Sequence, residues 1–194
     1  TQIKPTFFEL DLKNQQDVNR FFQENRVDGI IHFAAHKAVG ESVEKPLMYY
    51  RNNLLSLLNV LEAMKEFNVD NIIFSSSCTV YGQADEMPID EQTPLKKAES
   101  PYGKTKQMGE EILEDFSTAF NKNVICLRYF NPVGAHSSAK IGELPKGIPN
   151  NLIPYVTQTA AGIREMLSVW GDDYPTRDGT AIRDYIDVND LADA

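Results

Sequence analysis

The sequence predicts a parallel α/β sheet, and three observations carry the prediction. Short apolar runs of the buried-strand type alternate with long segments of helical periodicity. The two longest helical segments each open on a proline, Pro46 and Pro101, a residue suited to a first helical turn, where a missing N–H costs nothing. Unusual polar residues collect where the apolar runs end, and open parallel sheets bind ligands beyond the carboxyl ends of their strands.

In chain order, Thr6 to Leu12 (TFFELDL) reads as a strand with a polar end. Asn14 to Asn25 places Val18, Phe21 and Phe22 at helical spacing. Asp28 to Ala34 (DGIIHFA) is a continuous apolar run, as in a strand buried on both faces. Pro46 to Asn68 is a long helix with a stripe of Leu54, Leu57, Leu58, Leu61 and Met64, read as core or subunit interface. Asn71 to Ser77 (NIIFSSS) is a second buried-type strand, ending in hydroxyls. Pro101 to Phe120 is the second long helix, and Asn123 to Phe130 (NVICLRYF) a further strand. After Asn131 the texture changes: Pro132, Gly134, Gly142, Pro145, Gly147 and Pro149 punctuate a loop-rich stretch. A helix over Asn151 to Gly162, a strand over Ser168 to Gly171, a turn over Tyr174 to Gly179 and a strand over Arg183 to Val188 complete the reading. No repeats or low-complexity tracts occur.

Composition narrows the class. The 194 residues suffice for one substantial core, and 42% hydrophobic with 24% charged is ordinary for a soluble globular protein. No apolar run approaches the roughly 18 residues of a membrane span, and no signal peptide is visible. Cys78 and Cys126 lack metal-ligand spacing and read as reduced core thiols, which suits a cytoplasmic protein. A net charge of −9 argues against nucleic acid as a partner while leaving room for a small anionic ligand. The chain opens on Thr1 and closes on Asp190-Leu191-Ala192-Asp193-Ala194, which looks like a helix cut short. Both ends are therefore expected to be truncation points.

The most informative stretch is Ser100-Pro101-Tyr102-Gly103-Lys104-Thr105-Lys106. Tyr102 and Lys106 stand four apart at the start of a helix, on one face. A fixed cation favours phenolate and lowers a tyrosine pKa from about 10, so this tyrosine can exchange a proton near neutrality. Alone the spacing is also what chance supplies on many helix surfaces. Its context strengthens it, because Ser75, Ser76 and Ser77 end the preceding strand, where a hydroxyl can hydrogen-bond the oxygen that Tyr102 deprotonates. Asp11, read alone, is equally a solvated strand end, Lys37 and Arg183 equally surface charges. Asn150 and Asn151 suit a helix cap. His32 and His136 read as structural, and no histidine is assigned a catalytic role.

Further segments extend the pattern: HFAAHKAVGESVEKPLMYYRNN from His32, FSSSCTVYG from Phe74, SPYGKTKQMGE from Ser100, LRYFNPVGAH from Leu127, GIPNNLIPYV from Gly147 and GDDYPTRDGTAIRDYIDVNDLADA from Gly171. With these the chain resembles the extended short-chain dehydrogenase/reductase family, in its branch that epimerises UDP-hexoses at C4. The resemblance implies a Rossmann-type doubly wound parallel sheet with part of a smaller substrate-binding domain. Residues 1–131 would form the NAD-binding part. Residues 132–194 would contribute to the UDP-sugar-binding domain and the end of the sheet. It implies an isomerase of galactose metabolism that uses NAD and interconverts UDP-glucose and UDP-galactose. It also implies a homodimer joined through a four-helix bundle built from two long helices of each subunit.

The resemblance also implies roles. Tyr102 would be catalytic base and acid, Lys106 would hold the nicotinamide ribose and tune Tyr102, and Ser77 would hydrogen-bond the sugar 4-hydroxyl. Asp11 and Leu12 match adenine contacts; Phe33, Ala34, Ala35, His36 and Lys37 match a segment lining NAD; Asn52 and Phe130 match further cofactor contacts. Asn131, Asn151, Leu152, Trp170 and Arg183 match UDP-sugar positions, with Arg183 neutralising diphosphate charge. The chain departs from the family pattern at Ala35-His36-Lys37, Cys78, Trp170 and Asp187, none of them a proposed proton-transfer group.

The family's glycine-rich phosphate loop is expected upstream of Thr1, and the rest of the sugar site beyond Ala194. Without the loop and its strand, the 194 residues alone are expected to bind NAD poorly and to fold poorly, which isothermal titration with NAD would test. Two other functions fit the same fold. A nucleotide-sugar 4,6-dehydratase would carry an acidic pair after the serine segment, where this chain has Ser76-Ser77-Cys78-Thr79. A noncatalytic NAD-binding regulator would usually lose the tyrosine or the lysine, and both are kept. An epimerase of another UDP-sugar is less easily separated.

Overall fold

Parallel strands need crossovers long enough to hold a helix, and this chain supplies them. A computed structural model describes residues 4–145 and 147–194, which divide into one unit ending at Arg128 and a second beginning at Tyr129. In the first unit the order is α1 (Gln15–Glu24), β1 (Ile30–His32), α2 (Val39–Glu44), α3 (Pro46–Glu66), β2 (Asn71–Ser75), a 3-10 turn (Cys78–Tyr81), α4 (Pro101–Phe120) and β3 (Asn123–Leu127). The strands form a parallel sheet in the order β1-β2-β3, with Ile30 beside Ile72 and Ile72 beside Val124. This is the α/β, Rossmann-like arrangement that the alternation predicts.

Local chemistry sets the helix starts. Asn14 caps α1 by accepting the N–H groups of Gln16 and Asp17. Pro46 and Pro101 occupy the first turns of α3 and α4. The core lies where these helices meet β2: Leu57, Val60, Leu61 and Met64 of α3, Ile72 and Phe74 of β2, and Leu113 and Phe116 of α4 are buried together. Fully burying one such side chain contributes roughly 1.5–3 kcal/mol. Gly109 lets α4 approach the sheet closely, since a Cβ there would stand 2.8 Å from the Phe74 ring.

Three expectations need correction. Thr6 to Leu12 forms no strand: Phe7 is 85% exposed, and neither outer strand of the sheet pairs with this segment. A strand's N–H and C=O groups require a neighbour, so the segment is held by other contacts. The Phe8 ring stands edge-on to Phe21 at 4.9 Å, and the Leu12 carbonyl accepts from Asn59 Nδ2 at 2.8 Å. Second, the run from Asp28 to Ala34 is not buried on both faces; Ile31 and Phe33 are more than half exposed, while Ile30 faces the core. Third, Ser168 to Gly171 is irregular chain, and its Val169 and Trp170 are exposed.

The second unit holds β4 (Asn131–Val133), α5 (Leu152–Ala160), β5 (Tyr185–Asp187) and α6 (Val188–Asp193). β4 was not expected from the proline- and glycine-rich text, and it pairs in parallel with β5, Asn131 beside Tyr185. The expected turn is present, with Tyr174 N–H donating to the Gly179 carbonyl at 3.1 Å. Among the described residues no helix is long and apolar enough to cross a membrane, and no cluster of three or more His, Cys, Asp or Glu could hold a metal. Cys78 and Cys126 are free thiols, and burial pushes both pKa values up, Cys126 to about 11.

Candidate active site

The site is built where β2 ends and α4 begins. Ser100 accepts the Gly103 N–H at 3.1 Å, which fixes the first turn of α4. That turn carries Tyr102, half-buried, and the next carries Lys106, only 4% exposed. The Lys106 Nζ lies 5.8 Å from the centre of the Tyr102 ring and 4.8 Å from that of Phe74. It donates to the Ser75 carbonyl at 2.5 Å, which ties the helix to the strand end. Burial pulls Lys106 down to about 8, so it remains mostly cationic at neutral pH.

The three serines have different duties. The Ser75 carbonyl receives Lys106. The buried Ser76 hydroxyl donates to Glu110. Ser77 caps the 3-10 turn by accepting the Thr79 N–H at 3.3 Å. Glu110 continues the Tyr102–Lys106 row one turn further along α4 and is gripped by Arg128, whose Nε reaches its two oxygens at 3.0 and 3.1 Å and whose Nη2 reaches Oε2 at 2.7 Å. The sequence alone assigns neither residue a role. The i+4 spacing after Lys106 was the available signal.

A second polar bridge joins α4 to the loop after β1. The buried Asn53 side chain accepts the His36 N–H at 2.8 Å and donates to the His36 carbonyl and to Thr105 Oγ1, both at 3.1 Å. Thr105 Oγ1 donates in turn to the Tyr102 carbonyl at 2.7 Å. The Ala34–Lys37 segment is thereby fixed beside the tyrosine helix, with Ala34 and Lys37 exposed and Ala35 and His36 half-buried. Asn52, next to this bridge, donates to Asn53 Oδ1 at 3.1 Å. The Asp11 carboxylate accepts the Lys13 N–H at 3.0 Å.

His32 is buried, stacked on Phe74 with ring centres 6.0 Å apart, and its Nε2 has no hydrogen-bond partner among the described residues. Burial, and then the Lys106 charge, hold it down to about 4. It is neutral at neutral pH and packs as an aromatic ring.

Phe130, Asn131, Asn151, Leu152, Trp170 and Arg183 belong to the second unit. Asn131 Nδ2 donates to the Asp184 carbonyl at 2.7 Å. Asn151 stands at the N-cap position of α5, yet its side chain makes no capping bond and donates instead to Glu143 at 3.3 Å. Leu152 and Trp170 are exposed, and Arg183 donates to the Ile182 carbonyl at 2.8 Å.

The first unit thus defines a class: a parallel α/β protein with a tyrosine and a buried lysine beside a serine-ended strand. The chain belongs to the NAD dependent epimerase/dehydratase family, whose model matches residues 1–194. It is 56% identical over 189 residues to the UDP-glucose 4-epimerase of Bacillus subtilis, covering 97% of this chain and 56% of that protein. It superposes on the UDP-glucose 4-epimerase of Bifidobacterium longum, solved in complex with NAD+ and UDP. The TM-score is 0.92 at 52% identity, over 96% of this chain and 56% of that one. The UDP-Glc/GlcNAc 4-epimerase of Campylobacter jejuni matches at a TM-score of 0.78 and 41% identity, over 96% of this chain and 56% of that one. The chain therefore spans about half the length of the relatives it matches.

Proposed function

We propose that the protein carrying this chain interconverts UDP-glucose and UDP-galactose with bound NAD, by inverting the hydroxyl at C4 through a transient 4-keto sugar. The observation that carries this reading is the buried Lys106 ammonium on the same helix face as Tyr102, beside a serine-ended strand. The residues fit the cofactor. An ammonium has three donors; Lys106 gives one to the Ser75 carbonyl, and a ribose hydroxyl suits a further one. NAD, when bound, supplies the oxidation and re-reduction at C4.

The chain's own residues supply orientation and proton transfer. Tyr102 takes the proton from the 4-hydroxyl and returns it to the ketone oxygen. Lys106 favours the ionised phenol, and Ser77 hydrogen-bonds the same sugar oxygen. Asp11 and Leu12 hold the adenine end; Phe33, Ala34, Ala35, His36, Lys37, Asn52 and Phe130 line the cofactor. Asn131, Asn151, Leu152, Trp170 and Arg183 hold the UDP-sugar, with Arg183 on the diphosphate. In this reading residues 1–131 form the NAD-binding part, and residues 132–194 contribute to the UDP-sugar-binding domain and the end of the sheet. The working protein is a cytoplasmic homodimer. Support comes from the likeness to epimerases along nearly the whole chain.

The test is conversion of UDP-galactose labelled with deuterium at C4, in ordinary water. Epimerisation gives UDP-glucose of unchanged mass that keeps the label at C4. A product lighter by one water indicates a 4,6-dehydratase. No product, with NAD bound, indicates a regulator.

A further inference from the structure

We propose that Glu110 and Arg128 form a positioning pair that aims the Ser77 hydroxyl, an inference that rests on the function proposed above. Neither residue is assigned a part in the proposed proton transfer, yet together they hold the stretch from Ser76 to Tyr81 at both ends. Before it, the buried Ser76 hydroxyl donates to Glu110. After it, the Arg128 guanidinium lies over the Tyr81 ring at 5.2 Å and its Nη1 stands 3.4 Å from the Tyr81 hydroxyl. Tyr81 closes the 3-10 turn that Ser77 caps, and Gly82 follows at φ 59°, where a Cβ would stand 2.6 Å from the Lys97 carbonyl.

The chemistry of the pair suits positioning. Desolvating a carboxylate and a guanidinium is costly, and such pairs often add no net stability over apolar replacements. What a forked Arg–carboxylate contact supplies is fixed direction. Arg128 holds both Glu110 oxygens, so the oxygen that receives Ser76 cannot swing away. Helix α4 then fixes the strand end at two successive backbone steps: Lys106 on the Ser75 carbonyl and Glu110 on the Ser76 hydroxyl. The helix that carries Tyr102 thus also sets the register of Ser77. An error of about 1 Å in such geometry costs on the order of 100-fold in rate.

The experiment uses the full-length protein with its cofactor bound. Ser76→Ala cuts the link and leaves the ion pair whole. The expected result is a fall in kcat for UDP-galactose of about tenfold or more, with KM and the thermal midpoint little changed and a larger solvent deuterium isotope effect on kcat. Arg128→Lys keeps the cation but loses the fork, and the same pattern is expected with a smaller loss. Unchanged kcat in both variants overturns the inference. So does a fall in kcat that tracks a lost thermal midpoint or a raised KM, because that is a merely structural effect. Tyr102→Phe, run alongside, separates the two claims. If it keeps full activity, the proposed mechanism fails; if it is inactive while both other variants are normal, only the positioning role fails.

Discussion

The two units handle polar groups in opposite ways. In the unit ending at Arg128, Ser76, Lys106, Glu110 and Asn53 are buried, and each is tied to a named partner on another element. In the unit beginning at Tyr129, Asn131, Asn151 and Arg183 are exposed, and their bonds run to nearby loop or backbone groups. Buried polar groups are costly unless satisfied. In the proposed mechanism the first unit therefore spends stability to hold a proton-transfer geometry, and the second leaves its ligand candidates exposed. A change at the buried Lys106 should trade stability against activity, and changes in the second unit should alter binding alone.

Of the three changes that probe this contrast, the one at Lys106 has the largest expected effect. Lys106→Met should lower kcat by about 100-fold or more. The same change should raise stability, because burial lowers the lysine pKa from 10.5 to about 8, a shift that corresponds to a cost of up to about 3 kcal/mol at neutral pH. Urea unfolding checks the sign; a less stable variant would mean that the lysine is there to hold the fold.

His32 tests the same unit through pH. Its pKa falls from 6.5 unfolded to about 4 folded, so the unfolded chain binds more protons between these values. The stability linked to His32 is complete above pH 6.5 and is lost as pH falls toward 4, by up to about 3 kcal/mol. His32→Phe should flatten that loss. Equal slopes in variant and parent, followed by urea midpoints across this window, would remove His32 from the account.

The smallest effect on stability is expected in the second unit. Trp170 is 88% exposed, and Trp170→Ala should shift unfolding by no more than about 0.5 kcal/mol. The KM for the UDP-sugar should rise several-fold all the same. A large loss of stability with unchanged KM would reverse the contrast between the units.

What the sequence disclosed follows the range of each interaction. α4 runs from Pro101 to Phe120 as read, because its proline and its Ser100 cap are local signals. Tyr102 and Lys106 share a face because i and i+4 must on any helix. Pairing is not local, and there the reading failed. TFFELDL looks like a strand yet finds no neighbour in the sheet, and Ser168 to Gly171 likewise stays irregular. β4 is hidden in punctuated text because only β5, far along the chain, makes it a strand. Glu110 stood on the Tyr102–Lys106 row, but its meaning depends on Arg128, which arrives from beyond β3.

The most direct test of the central claim is Tyr102→Phe in the full-length protein, which deletes one oxygen and keeps the ring. The account predicts a folded protein that still holds NAD, with UDP-galactose conversion down by about 1000-fold. Conversion at the parent rate would contradict it.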